Sequence, residues 1–80
     1  MPSMDNRLRT QTETVLAVLQ MGDKLTQLEA LRRFGIMRLA SRISDLKRRG
    51  WPIKKMMIDV PGGAKVAEYW LPKGAERMGV

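Results

Sequence analysis

Three helices followed by a two-stranded β-hairpin, a small and mainly helical α+β fold, is the architecture this sequence predicts. Three observations carry it. Threonine and glutamate stand at capping-box spacing twice, in "TQTE" from Thr10 and in "TQLE" from Thr26. Gly22, Gly35 and Gly50 each follow a segment with helical apolar spacing, where a residue in the left-handed conformation ends a helix. Beyond Gly50 the pattern changes: "WPIKKMMIDV" and "AKVAEYWL" favour strands and flank "PGG", Pro61 to Gly63, a hairpin turn.

Taken in order, residues 1–9 lack apolar periodicity and read as a flexible arm. The domain proper spans residues 10–72, and residues 73–80 read as a flexible tail. The first helix starts at the Thr10–Glu13 box, with Val15, Leu16, Val18 and Leu19 as its apolar face, and stops at Gly22. A connector "DKL" follows, in which Leu25 suits a short extended stretch. The Thr26–Glu29 box opens the second helix, with Leu28, Leu31 and Phe34 inward, Arg32 and Arg33 outward, and Gly35 as its stop. The third helix covers residues 37–49. A short helix, a glycine-containing turn and a longer helix form a helix-turn-helix pattern, which other helical hairpins share.

Trp51-Pro52 forces extended backbone into the hairpin, residues 53–71. In its second strand Ala67, Tyr69 and Leu71 fall on one face, and Val66, Glu68 and Trp70 on the other. In its first strand Met56 and Ile58 alternate with Lys55, Met57 and Asp59, and either set could face inward. Trp70 is either covered by the tail or partly exposed. This order of helix, extended link, helix, turn, helix and hairpin is that of a winged helix. A lone hairpin is marginal, so its inner face should pack against the helices.

Composition narrows the chemistry. With no cysteine and no histidine there is no disulfide, no conventional zinc site and no Ser-His or Cys-His nucleophile pair. The eight acids are scattered without ligand-like spacing, so neither a metal nor another cofactor is expected, and the chain is not read as an enzyme. The longest apolar run, "VLAVL" at Val15 to Leu19, is far too short for a membrane span, and a cytoplasmic location is expected. A net charge of +7 and a pI near 10.6 call for an anionic partner. Of fifteen basic residues, nine lie between Arg32 and Lys55, with Asp45 the one acid among them.

The third helix separates that charge from its core. Ile36, Leu39, Ala40, Ile43 and Leu46 cluster within roughly 120° and form the core stripe. Opposite lie Arg38, Ser41, Arg42, Asp45 and Arg49. Arginine forks can donate two hydrogen bonds to a guanine edge, and Arg38 and Arg42 stand one turn apart in the N-terminal half of the helix. They are the expected base readers, with Ser41 beside them. Asp45 either holds Arg42 or Arg49, or accepts from a cytosine amino group. The expected backbone contacts are Thr26, Gln27, Arg32, Arg33, Arg48, Arg49, Lys54, Lys55 and Lys65. Arg48 and Arg49 also complement the helix dipole, and Lys47 is discounted because its angle falls near the core stripe. Arg7 and Arg9 in the arm could enter a minor groove.

The block "LTQLEALRRFGIMRLASRISDLKRRGWPI", with "VAEYWL" closing the second strand, resembles a family of small helix-turn-helix proteins of phages and prophages. The likeness covers roughly residues 10 to 72 and is most specific from Leu39 to Ile53. It implies a winged helix and double-stranded DNA binding, as in a transcriptional regulator or an excisionase-like accessory factor. The alternative is a phage-type protein-interaction module, such as an anti-defence inhibitor, whose basic face binds an acidic or nucleic-acid-binding host protein. A homodimer would enlarge the small DNA contact of one copy. A membrane-surface role is set aside, because exposing the apolar stripe of the third helix would unfold so small a domain.

Overall fold

A computed structural model describes residues 4–75, with side chains from Thr10 onward. Helix α1 spans Met4–Gln20, a two-residue strand β1 Leu25–Thr26, α2 Gln27–Phe34 and α3 Leu39–Arg48. Strands β2 (Lys54–Asp59) and β3 (Lys65–Trp70) complete the order. Three helices and an antiparallel sheet make this a small, mainly helical α+β fold consistent with a winged helix.

Helix α1 departs from expectation at its start. It begins at Met4, so Thr10 lies inside the helix and not at its cap. No proline or glycine interrupts Met4 to Gln20, and nothing in that run opposes helix before the apolar spacing begins. Side chains of residues 4–9, Arg7 and Arg9 among them, lie outside the described residues, as do residues 1–3 and 76–80. Val15, Val18 and Leu19 are buried, and Thr12 joins them on the same face. The helix closes with Gly22 N–H donating to Leu19 O and Asp23 N–H to Val18 O, the paired bonds of a Schellman end.

At α2 the capping threonine holds. Glu29 N–H donates to Thr26 Oγ1 at 3.3 Å, and the threonine hydroxyl reaches Glu29 Oε1 at 3.4 Å. Gly35, at φ +68°, supplies the left-handed residue that ends the helix, and its N–H donates to Leu31 O. The inward face needs correction. Ala30 is the buried residue, whereas Leu28 is 57% and Leu31 45% exposed. A small residue lets this eight-residue helix approach the core closely, and Leu28 then stands about 160° away from it. Phe34 packs against the core from its edge.

Helix α3 is shorter than residues 37–49, with Arg38 at its N-cap and Arg49 at its C-cap. Leu39, Ile43 and Leu46 are buried and, with Ile36, meet Val15, Val18, Leu19, Leu25, Ile53, Tyr69 and Leu71 in one core. Ala40, expected in the stripe, is exposed. Gly50 N–H donates to Lys47 O and Trp51 N–H to Leu46 O, so the chain leaves α3 with Trp51 folded back on the core.

The sheet has three strands, not the two of a simple hairpin, in the order β1-β3-β2. Leu25 pairs with Tyr69 and Thr26 with Glu68, so the connector before α2 becomes an edge strand. On the other side β2 pairs with β3 from Lys54↔Trp70 to Asp59↔Lys65. Directly paired residues share a face. Lys55, Met57 and Asp59 therefore lie on the core side with Tyr69, Ala67 and Leu25, which answers the open question of β2 orientation. The turn is tight: Gly63 N–H donates to Val60 O at 3.1 Å, with Pro61 and a left-handed Gly62 at the corners. Trp70 lies on the far face, half-buried, with Lys24 Nζ 5.5 Å from its ring centroid.

Candidate nucleic-acid interface

The turn between α2 and α3 is clamped by one side chain. Gln27 Nε2 donates to Ile36 O at 2.8 Å, and Gln27 Oε1 accepts from Leu39 N–H at 2.8 Å. That second bond satisfies one of the amides left free at the start of α3. Gln27 and Thr26, both expected on DNA phosphates, are thus placed within the fold: Thr26 is a buried cap and Gln27 ties the turn. Gln27→Ala should remove both bonds and cost about 1–2 kcal/mol, read as a lowered melting temperature with the helical circular-dichroism spectrum retained.

The open side of α3 is not the one the helical wheel suggested. Ser41, Arg42 and Asp45 are only partly exposed, while Ala40, Ser44, Lys47 and Arg48 are open to solvent. The outward face is turned by about a third of a helical turn. Both α1 and α2 pack against α3, and a helix gripped on two sides is covered over an arc wider than its apolar stripe.

Arg42, expected as a base reader, is only 12% exposed, and its Nη2 lies 3.4 Å from Asp45 Oδ2. The other oxygen of Asp45 receives Arg48. Of the two roles open to Asp45, holding an arginine is the one seen, with Arg48 in place of Arg49 as the second partner. Arg38 stands exposed at the head of α3.

Sequence reasoning missed a shallow depression of about 180 Å³ between α3 and the sheet, lined by Ala40, Ile43, Ser44, Lys47, Lys55 and Tyr69. It brings together two lysines, a serine hydroxyl and a tyrosine from three elements. Lys47, whose angle on the helical wheel falls near the core stripe, is exposed, and Lys55 lines the same depression. The signal was available in the register: Lys55 shares the core face with Tyr69, and Ser44 and Lys47 lie on neighbouring turns of α3. Arg32, Arg33, Arg49, Lys54 and Lys65 are exposed elsewhere. Of these, Arg33 pairs with Asp23 at 3.7 Å and lies 4.9 Å from the Phe34 ring centroid. Among the described residues no cluster of acids is placed to hold a metal, and no helix is long and apolar enough to cross a membrane.

No curated protein and no solved structure matches the chain. A family model for a winged helix-turn-helix domain matches residues 10–74, from the middle of α1 past the end of β3. Its extent takes in α2, the Gln27-clamped turn, α3 and the hairpin, a set that in this class serves DNA binding and not catalysis. The match and the fold agree, and the chain belongs to the winged helix-turn-helix family.

Proposed function

We propose that this protein binds double-stranded DNA with α3 in the major groove and the hairpin along the backbone. The observation that carries the reading is the convergence of Ser44, Lys47 and Lys55 on one depression between α3 and the sheet. Neither lysine forms an ion pair among the described residues. A phosphate seated there would meet two cations and a hydroxyl donor. Arg38, at the head of α3, is the reading arginine, with Ser41 and Ser44 short enough to let the helix approach base edges. Arg32, Arg33, Arg48, Arg49, Lys54 and Lys65 supply further backbone contacts, and Arg42 reads a base only by leaving Asp45.

If about six phosphates are neutralised, log K should fall against log salt with a slope near −5, and an affinity indifferent to salt would overturn the reading. Lys47→Ala and Lys55→Ala singly should flatten that slope little, because one lysine still holds the shared phosphate. The double substitution should flatten it by about 0.9, whereas lysines on separate phosphates would each remove that much.

At the finer level the protein acts as a phage-type transcriptional regulator or an excisionase-like accessory factor in the cytoplasm, which the resemblance from Leu39 to Ile53 supports. Selection from random duplex DNA tests this by recovering a motif. One feature favours a second reading, a host-protein partner: Leu28 and Leu31 stand exposed at i,i+3 on α2, apolar surface that DNA does not need. Nuclease-treated pull-down that retains one stoichiometric protein through these leucines, with no duplex bound by the purified chain, would favour it.

A further inference from the structure

The outer strand of the wing is unguarded along its whole length. β2 lies at the edge of the sheet, and only Ile58 of its six residues is even partly covered. Of its three large apolar residues, two are open to solvent, Met56 at 56% and Met57 at 53% exposure.

The direction of its free hydrogen-bonding groups follows from the hairpin. Val60 N–H donates to Ala64 O at 3.0 Å, so this pair is hydrogen-bonded. In an antiparallel ladder such pairs alternate with non-bonded ones. Ile58, Met56 and Lys54 therefore direct their amides and carbonyls towards β3, in register with Val66, Glu68 and Trp70. Lys55, Met57 and Asp59 direct theirs outward, to the open edge.

Charges on an edge strand ordinarily prevent pairing with another strand. Here they are self-complementary. Lys55 and Asp59 flank Met57 at equal distance, one cation and one anion on the same face. We infer that the β2 edge pairs with the β2 edge of a second copy, antiparallel about a two-fold axis at Met57. Met57 then faces the partner's Met57, and Lys55 faces the partner's Asp59. These pairs use every outward amide and carbonyl of the three residues. On the other face Met56 meets the partner's Ile58. An axis perpendicular to the sheet keeps like faces together, which the shared parity of residues 55, 57 and 59 requires. Any other two-fold register of the same parity leaves Lys55 or Asp59 without its opposite charge. The +7 charge of each copy opposes association at long range, but at physiological salt that repulsion is screened beyond about 8 Å, whereas the paired charges are in contact. The inference goes beyond DNA binding and is tested without DNA; the three donors of the Lys55 ammonium let it meet the partner's Asp59 as well as the phosphate it shares with Lys47.

Sedimentation equilibrium of the full chain, over a concentration series without DNA, should show a monomer–dimer equilibrium. Lys55→Glu alone and Asp59→Lys alone should each weaken the dimer at least tenfold, since like charges then face each other. The double exchange should restore it, an outcome that a merely damaged fold would not give. The chain has no cysteine, so Met57→Cys supplies a unique thiol. It should give a disulfide-linked dimer under a mild oxidant, because hydrogen-bonded pairs stand about 5.5 Å apart at Cα. Met21→Cys should not, although Met21 is the more exposed of the two. A monomer at every concentration overturns the inference, and so does a dimer indifferent to both charge reversals that fails to cross-link through position 57.

Discussion

Leu39→Ala is expected to lower stability by about 2–5 kcal/mol, the usual cost of truncating a buried leucine when its surroundings relax only in part. Leu39 is fully buried at the first turn of α3, among residues from α1 and the sheet, and its own N–H is the one Gln27 holds. Truncation opens a cavity at the point where all three helices are tied. In a domain of this size each kcal/mol shifts the melting temperature by about 4–8 °C, so the variant should melt at least 8 °C lower in a thermal scan. Ala40→Gly, on the exposed side of the same helix, should lose only the helix-propensity difference of about 1 kcal/mol. Equal losses from the two would show that Leu39 does not occupy the core position the fold gives it.

Arg38→Ala should weaken binding to a selected duplex by about 1–3 kcal/mol and reduce discrimination against altered sites. Its effect on unfolding should be slight, because the side chain is exposed and makes no cap hydrogen bond. Arg42→Ala should behave in the reverse sense. Its side chain is nearly buried and engaged with Asp45, so its removal forfeits packed stem and an ion pair inside the domain. Calorimetry should record the larger destabilisation for Arg42→Ala, and titration with duplex the larger loss of affinity for Arg38→Ala. Two arginines that looked equivalent on a helical wheel would then separate into one that meets the ligand and one that holds the helix. Equal binding losses with equal stability would restore both as readers.

The contrast between these arginines shows how far local reasoning reached. Capping at Thr26, helix stops at Gly22, Gly35 and Gly50, and a turn at Pro61–Gly63 were legible because each depends on a few neighbouring residues whose conformational preferences dominate. The start of α1 was not, since from Met4 to Arg9 only Met4 and Leu8 stand at helical spacing, and one apolar pair is a weaker signal than the Thr10–Glu13 box that competes with it. Leu28 and Leu31 misled because apolar periodicity tells which residues share a face and not whether a neighbour covers it.

What the sequence by itself determined is the order of elements, the basic character of the surface, and the absence of imidazole and thiol chemistry. These are properties of composition and of contacts within about four residues along the chain. Only the tertiary structure decided which side of α3 is open, that β1 joins the sheet, that Gln27 belongs to the turn, and that Lys47 and Lys55 line one depression. Each of those depends on how elements apart in sequence pack together. That packing is set by how two amphipathic surfaces interlock, and by register across a sheet, where one residue of slip exchanges the faces.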